Sequence, residues 1–278
     1  MSVMDTFRLD GARALVTGAS QGIGRATALA LAEAGAHVGL CARNERALEE
    51  VAREVTDLGG EAVVVAGDLS DPATAAHAVE RTASALGGLD LLVHNAGGPL
   101  ADQEGRMVLK PVTESSDEEW RQVMDLNLFA AVRLCRAAHP HLRRSPRASV
   151  VFMSSVAALV AVPGMESYGA VKSGLLSYTR SLAVAWAADG IRVNALCPGW
   201  VRTHLTSPLH EVDATAEAAL TNVPMRRWGG VEDVTGPAVF LCSPAASFVT
   251  GQHLTPDGGL TAFPAMPQPR DPEEAPHG

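Results

Sequence analysis

An apolar run, Ala12–Thr17, passes directly into Gly18-Ala19-Ser20-Gln21-Gly22-Ile23-Gly24, and a helical pattern follows over Ile23–Ala34. Few folds use this order. Glycine lets a chain leave a strand sharply, and it lets a phosphate approach backbone with no Cβ in the way. The helix start then offers free N–H groups and the positive end of the dipole. The spacing is G-x-x-x-G-x-G, which is weak as an isolated string. Between this strand and this helix it predicts a nucleotide cradle, with a plain strand-to-helix turn as the bland alternative.

The rest of the chain repeats the alternation. Strands are predicted at His37–Cys41, Ala62–Ala66, Leu89–His94, Ser149–Met153, Arg192–Cys197 and His253–Thr255. Helices are predicted at Asn44–Leu58, Ala73–Leu86, Asp117–Arg144, Ser167–Ala188 and Val231–Leu241. Strands rich in Val, Leu and Ala without polar alternation imply burial on both faces, as in parallel sheets. The expected fold is therefore α/β: one doubly wound, Rossmann-like parallel sheet with helices on both faces. Ligands of such sheets bind beyond the strand C-termini, where strand order reverses.

Two long connections interrupt the rhythm, 98–116 and 203–227, the second with a weak helical pattern over Glu211–Leu220. Both are long enough to be functional loops, and the second is expected to act as a lid. Residues 1–263 read as one domain. The last segment, 264–278, carries five prolines and few apolar residues, a composition that predicts disorder.

Cofactor choice is read at the end of the second strand, where a carboxylate would hold the ribose 2′-OH of NAD. Here stand Ala42, Arg43 and Asn44. A planar guanidinium suits a 2′-phosphate, so NADP(H) is favoured over NAD(H). Arg43 could instead be a solvated loop arginine or stack on adenine. Asp68-Leu69 follows the third strand, where a carboxylate can accept from the adenine amino group or simply shape a turn. Asn95-Ala96-Gly97 ends the fourth strand. Small residues let the chain pass a cofactor, and the Asn amide is expected to tie strand ends together first and touch cofactor second. Pro198-Gly199, with Val201 and Thr203 beyond, is placed to lay backbone on a nicotinamide carboxamide.

Tyr168 and Lys172 are four residues apart on a predicted helix, hence on one face. A tyrosine titrates near 10 in water; an adjacent ammonium favours phenolate and would lower it. Ser155, just past the fifth strand, can donate a hydrogen bond to a substrate oxygen. Asn127 is an amide within an apolar helical stretch, able to hold a water joining Lys172 to solvent or to be satisfied by backbone. The bland reading of Tyr168 and Lys172 is an exposed pair on an amphipathic helix. Set beside the glycine loop, the group predicts hydride transfer with a tyrosine acid/base. Met153-Ser154-Ser155-Val156-Ala157 is not a G-x-S-x-G elbow, which removes a serine hydrolase.

Composition excludes other classes. The net charge is -9 with no Lys/Arg block, a poor basis for binding nucleic acid. Cys41, Cys135, Cys197 and Cys242 form no CxxC pair and read as buried thiols in a reducing compartment. The histidines, His94 among them, have no ligand spacing, so no metal is expected. No stretch approaches the roughly 18 apolar residues of a membrane span, and the first ten residues lack the apolar core of a signal peptide. A cytoplasmic location is expected.

Taken in order, these motifs resemble the short-chain dehydrogenase/reductase family in its single-domain form, from about Leu9 to Ala262. They are T-G-A-S-Q-G-I-G at Thr17–Gly24, D-L at Asp68-Leu69, N-A-G at Asn95–Gly97, and N-L at Asn127-Leu128. S-S at Ser154-Ser155, Y-G-A-V-K at Tyr168–Lys172, P-G-W-V-R-T at Pro198–Thr203 and D-G-G at Asp257–Gly259 complete the set. The resemblance implies a nicotinamide cofactor held by Gly18, Ser20, Gln21, Gly22, Ile23, Gly24 and the strand-end residues above, with Tyr168 and Lys172 touching it too. It implies an Asn127, Ser155, Tyr168, Lys172 catalytic tetrad. It also implies a homotetramer or homodimer, with the two long helices and the last strand at the interfaces. The nearest type is the 3-oxoacyl-carrier-protein reductases, although Gln21 stands where NADP-preferring members often carry a basic residue, and 98–116 is long for the family. The expected substrate is a small carbonyl compound or secondary alcohol, possibly carrier-bound. NAD-linked alcohol oxidation, or a non-catalytic cofactor sensor, are the alternatives.

Overall fold

Arg13–Thr17 (β1) lies at the middle of a seven-stranded, all-parallel sheet. Its companions are His37–Ala42 (β2), Ala62–Ala66 (β3), Leu91–His94 (β4), Ser149–Met153 (β5), Arg192–Leu196 (β6) and His253–Leu254 (β7). The order is β3-β2-β1-β4-β5-β6-β7. In this computed structural model, residues 2–262 are described; the expectation for 264–278 lies outside them. Every strand from β1 to β6 is separated from the next by helix, which is what a parallel pairing requires. The chain is a single Rossmann-like α/β domain.

The helices are Gly22–Glu33 (α1), Glu45–Asp57 (α2), Pro72–Leu86 (α3), Asp117–Met124 (α4), Ala130–Leu142 (α5), Glu166–Trp186 (α6), Ser207–His210 (α7), Asp213–Leu220 (α8) and Glu232–Cys242 (α9). Two apolar layers flank the sheet. One joins α3, α5 and α6 to residues such as Leu92, Val150 and Phe152; the other joins α1, α2 and α9 to Val16, Val38 and Val151. Alternate residues of β5 serve opposite layers, which explains why the strand shows no polar alternation. Local chemistry fixes the boundaries. Asn44 caps α2 by accepting from Ala47 N, Asp71 caps α3, and Ser116 with Glu119 forms a capping box for α4.

Two differences from the sequence reading matter. The fourth strand begins at Leu91 because the Asp90 carboxylate takes the Arg13 guanidinium through two hydrogen bonds and the Arg13 N–H through a third. The expected long helix Asp117–Arg144 is interrupted by a π-turn at Asp125–Phe129, with Asn127 at its centre. Such turns insert a residue into a helix and re-aim what it carries.

β1 connects to β2 on one side and pairs with β4 on the other, so the strand order reverses between β1 and β4. That is the point where open α/β sheets bind ligands.

Candidate active site

A cleft of about 1240 Å³ opens over the C-terminal ends of the strands. One half is built for a dinucleotide. Gly18 and Gly22 have φ of +65° and +56°, values that disfavour any side chain. A Cβ on Gly18 would meet Asn95 Nδ2 at 2.7 Å. Gln21 precedes α1 without a side-chain cap, so the first N–H groups of that helix face the cleft free of protein partners. Ser20, Gln21, Gly22 and Ile23 line the wall with Arg43, Asn44, Asp68, Leu69, Ala96 and Gly97. Thr203 packs its methyl 3.5 Å from where a Gly22 Cβ would stand, and the wall runs on through Pro198, Gly199 and Val201. A backbone cradle that any Cβ would fill, followed by an uncapped helix start, fits the pyrophosphate of a nicotinamide dinucleotide.

Each strand-end residue shows how its work is divided. The Asn95 amide donates to Thr17 O and Gly18 O at 3.1 and 3.4 Å, tying β4 to the glycine loop. The Asp68 carboxylate accepts from Ser70 N and Oγ at 2.9 and 2.8 Å, shaping the turn while still lining the cleft. Asn44 spends its carbonyl oxygen on the α2 cap. Arg43 is exposed at the ribose end, and its cationic neighbours are engaged elsewhere, Arg25 with Glu54 and Arg46 with Glu50. Gly24, expected at the cofactor, is not among the residues that line the cleft; a Cβ there would lie 2.1 Å from Gly18 O, so it lets the loop fold back on α1.

The other half holds the residues expected to act as acid and base. Tyr168 and Lys172 share the inner face of α6 and are 9% and 2% exposed. Ser155 stands at the end of β5, its hydroxyl accepting from Ala157 N at 3.1 Å and facing the Tyr168 phenol. Lys172 Nζ donates to Met153 O at 2.7 Å and sits 5.4 Å from the centre of the Tyr168 ring. The expected lowering of Tyr168 is not found in the protein's own groups. Burial pushes the phenol up to about 12, against a smaller lowering by Ser155. The lysine cannot overcome this because burial pushes it down to about 7, so near neutrality it is only partly an ammonium.

Asn127, expected in the same group, does not line the cleft. It is fully buried behind the wall, and its amide is spent on backbone. Nδ2 donates to Gly98 O at 2.9 Å and Val123 O at 2.8 Å, and Oδ1 accepts from Gly98 N at 3.0 Å. Its amide is thus satisfied by backbone, one of the two roles the sequence offered. It lies near the lysine all the same: a Cβ on Gly97 would be 2.3 Å from Asn127 Oδ1 and 3.2 Å from Lys172 Nζ.

The sequence reading missed the substrate wall. Leu100, Met107, Ala157, Val162, Met165, Trp200 and Leu205 surround the Tyr168 side of the cleft. Leu100 and Met107 come from the 98–116 connection, Ala157, Val162 and Met165 from the stretch between β5 and α6, Trp200 from the turn after β6, and Leu205 from the 203–227 segment. The two connections are joined: Met107 N donates to Leu205 O at 2.9 Å, and His204 Nε2 meets Glu104 O at 2.7 Å. An Ala101–Met107 bridge and the Asp102 carboxylate, which accepts from Glu104 N and Arg106 N, shape the first of them. Among the described residues that line the cleft, Arg43 and Lys172 are the only Arg or Lys side chains.

The comparisons with known proteins converge on this arrangement. The family model described as enoyl-(acyl carrier protein) reductase matches residues 18–261. A tropinone reductase homolog of Arabidopsis thaliana is 39% identical over 259 residues, covering 92% of this chain and 94% of its own. The chain belongs to the short-chain dehydrogenase/reductase family. Among solved members, a putative short-chain alcohol dehydrogenase from Sinorhizobium meliloti superposes with a TM-score of 0.86 at 40% identity, over 93% of this chain and 99% of that one. A gluconate 5-dehydrogenase from Burkholderia cenocepacia, solved with NADP and tartrate, gives 0.86 at 33% identity, over 94% and 99%. These short-chain relatives are oxidoreductases.

All four cysteines are buried, and burial raises their thiols, Cys197 to about 11 and the others to about 12. Among the described residues of this family member, no cluster of His, Cys, Asp or Glu is arranged for a metal, and no helix is long and apolar enough to cross a membrane.

Proposed function

We propose that the protein is an NADP(H)-dependent carbonyl reductase acting on neutral ketones with an apolar body, 3-oxoacyl esters among them. The observation that carries this reading is the wall around Tyr168: seven apolar side chains and, among the described residues there, no Arg or Lys apart from Lys172. An anionic sugar acid placed there would bury a carboxylate without a partner, which is costly. The name of the gluconate-type relative therefore does not transfer. Arg43 and the absence of a carboxylate at Ala42 support NADP(H) over NAD(H), as does the NADP carried by the Burkholderia structure.

Gly18, Gly22 and the α1 start would hold the pyrophosphate, Arg43 the 2′-phosphate, and Pro198–Thr203 the nicotinamide side. NADPH, when bound, would supply the hydride, and its oxidised form would carry a positive charge. Ser155 Oγ donates to the substrate oxygen and orients it. Tyr168 Oη delivers the proton that turns the developing alkoxide into an alcohol; its high value in the protein alone keeps it protonated and ready as an acid. Lys172 supports the recharged phenol and can bond the nicotinamide ribose. The apolar wall and the joined connections exclude water from the reacting carbon.

The test compares NADPH oxidation with ethyl acetoacetate, a neutral 3-oxo ester, and with 5-ketogluconate. The neutral ester should be favoured in kcat/KM by on the order of 100-fold, the cost of one unpaired carboxylate in such a wall. Preference for the sugar acid would overturn the substrate assignment. Assembly as a homodimer or homotetramer belongs to the same reading: Val184 on α6 and Phe248 before β7 are 83% and 102% exposed, apolar surface that a second copy would cover. Light scattering on the purified chain decides it, and a monomeric mass would refute it.

A further inference from the structure

His94 is the last residue of β4, 1% exposed, with both ring nitrogens bonded. Nδ1 is 3.1 Å from Thr17 Oγ1, and Nε2 is 3.1 Å from the backbone oxygen of Asn127. Hydrogen-bond accounting settles which nitrogen carries the proton. Thr17 Oγ1 already accepts from Asn95 N at 3.1 Å and Ala96 N at 3.0 Å. Both of its lone pairs are used, so its one proton goes to Nδ1. Nδ1 is then an acceptor, and Nε2–H donates to the Asn127 carbonyl. That polarity suits the ring at both ends, since a carbonyl can only accept.

The consequence runs across the site. Thr17 ends β1 at the glycine loop, His94 ends β4 before the Asn95-Ala96-Gly97 passage, and Asn127 lies at the centre of the π-turn. Asn127 in turn clamps Gly98 from both sides, and its Oδ1 and Lys172 Nζ border the same space, where a Gly97 side chain would otherwise stand. We propose that His94, locked as the Nε2–H tautomer by Thr17, is a positioning residue for hydride transfer: it holds the Asn127 turn, and through it the floor of the cleft beside Lys172, in register with the cofactor loop. The inference rests on the reading of this cleft as the active site. Burial, aided by the nearby Lys172 charge, pushes His94 down to about 3, so its single-proton state persists through the range in which such an enzyme works. His94 also packs edge-on against Phe152, with ring centres 6.4 Å apart at 83°, so simple core packing is the rival explanation.

Two variants separate these. His94→Phe keeps the ring and its packing but removes both hydrogen bonds. His94→Gln loses the ring but can present an N–H to Asn127 O. With ethyl acetoacetate and NADPH, His94→Phe should lower kcat on the order of tenfold, the effect of one lost hydrogen bond at the floor. NADPH affinity by fluorescence should stay within about twofold, and His94→Gln should recover most of the rate. A Phe variant with full kcat would show that packing alone matters, and equal losses in kcat and NADPH affinity would show a general collapse. Either result overturns the proposal. Histidine ¹⁵N shifts on the wild-type protein test it without any activity: His94 should carry its proton on Nε2 and stay neutral at pH 5. A proton on Nδ1, or an imidazolium at that pH, overturns it outright. A wild type that reduces no ketone would count against the proposed function and leave the shifts to decide this inference alone.

Discussion

Replacing Lys172 by methionine should abolish useful catalysis and yet make the cofactor-free protein more stable. Lys172 is 2% exposed and, among the described residues, no carboxylate pairs with its ammonium; burial brings it from 10.5 to about 7. Each unit of that fall is about 1.36 kcal/mol of folding free energy lost to the charged form. The whole displacement amounts to about 4–5 kcal/mol at and below pH 7. The direction follows from proton counting. Between pH 7 and 10.5 the unfolded chain binds the proton and the folded chain does not, so the penalty is full below 7, fades as pH rises and is gone above 10.5. Methionine has nearly the same length and volume, which avoids a cavity. The offset is the lost bond to Met153 O, 2.7 Å in the wild type, whose orphaned carbonyl costs about 1–3 kcal/mol. The net expectation at pH 6.5 is a gain of about 2 kcal/mol, or roughly 4–8 °C in Tm for a chain of this size. Thermal unfolding of both proteins without cofactor, from pH 6.5 to 10, is the assay. The gap should narrow steadily as pH rises. A variant that is no more stable at pH 6.5, or a gap that does not change with pH, would refute the claim that this lysine is held against its solvation.

Tyr168→Phe should lower kcat by about 10²–10⁴-fold, the range for losing a general acid, with NADPH affinity by fluorescence nearly unchanged; substantial turnover would remove tyrosine from the mechanism. Arg43→Ala should reduce kcat/KM for NADPH by about 10-fold, one charge-assisted bond, and spare NADH, while Ala42→Asp should invert the preference; equal damage to both cofactors would point to adenine stacking. Gly24→Ala should destabilise the fold by on the order of 3 kcal/mol, because its Cβ would lie 2.1 Å from Gly18 O; a urea midpoint equal to wild type would contradict the packing role given to this glycine. Wild type should lose stability as pH falls from 6.5 toward 3, since the unfolded chain protonates His94 and the folded one resists. In His94→Gln the stability-versus-pH slope should be shallower by up to about 1.4 kcal/mol per unit in that window, and parallel curves would rule the histidine out as the cause.

The framework of the molecule was legible because its signals are local. β3 and β5 form over Ala62–Ala66 and Ser149–Met153, as uninterrupted apolar runs between turns predict. Asn44 before α2 and the Ser116–Glu119 pair before α4 are capping chemistry that a sequence shows directly. The π-turn at Asp125–Phe129 is different in kind. It sits inside a helix with the same apolar pattern on both sides, so hydropathy carries no trace of the extra residue. The substrate wall was hidden for another reason. Met107 and Leu205, or Glu104 and His204, are about a hundred positions apart and meet only because two irregular connections share one rim.

The Tyr168–Lys172 pair shows where local reading stops. Helical spacing correctly places both side chains on one face of α6, and from that alone an ammonium beside a phenol should lower the phenol. The sign depends on a quantity that spacing does not contain, namely how much water each group keeps. Both are buried, and desolvation opposes the charged form of each, so the lysine gives up part of its charge before it can stabilise a phenolate. Tyr168 is thereby prepared as a proton donor in the protein itself. In the proposed mechanism the reverse reaction, in which it must accept a proton as a phenolate, would need an added positive charge, which an oxidised nicotinamide would supply. His94 follows the same logic one layer deeper. Its burial keeps it neutral, neutrality leaves one proton, and Thr17 decides where that proton points. In both cases the residue type was visible in the sequence, and its protonation was set by neighbours that only the fold brings together.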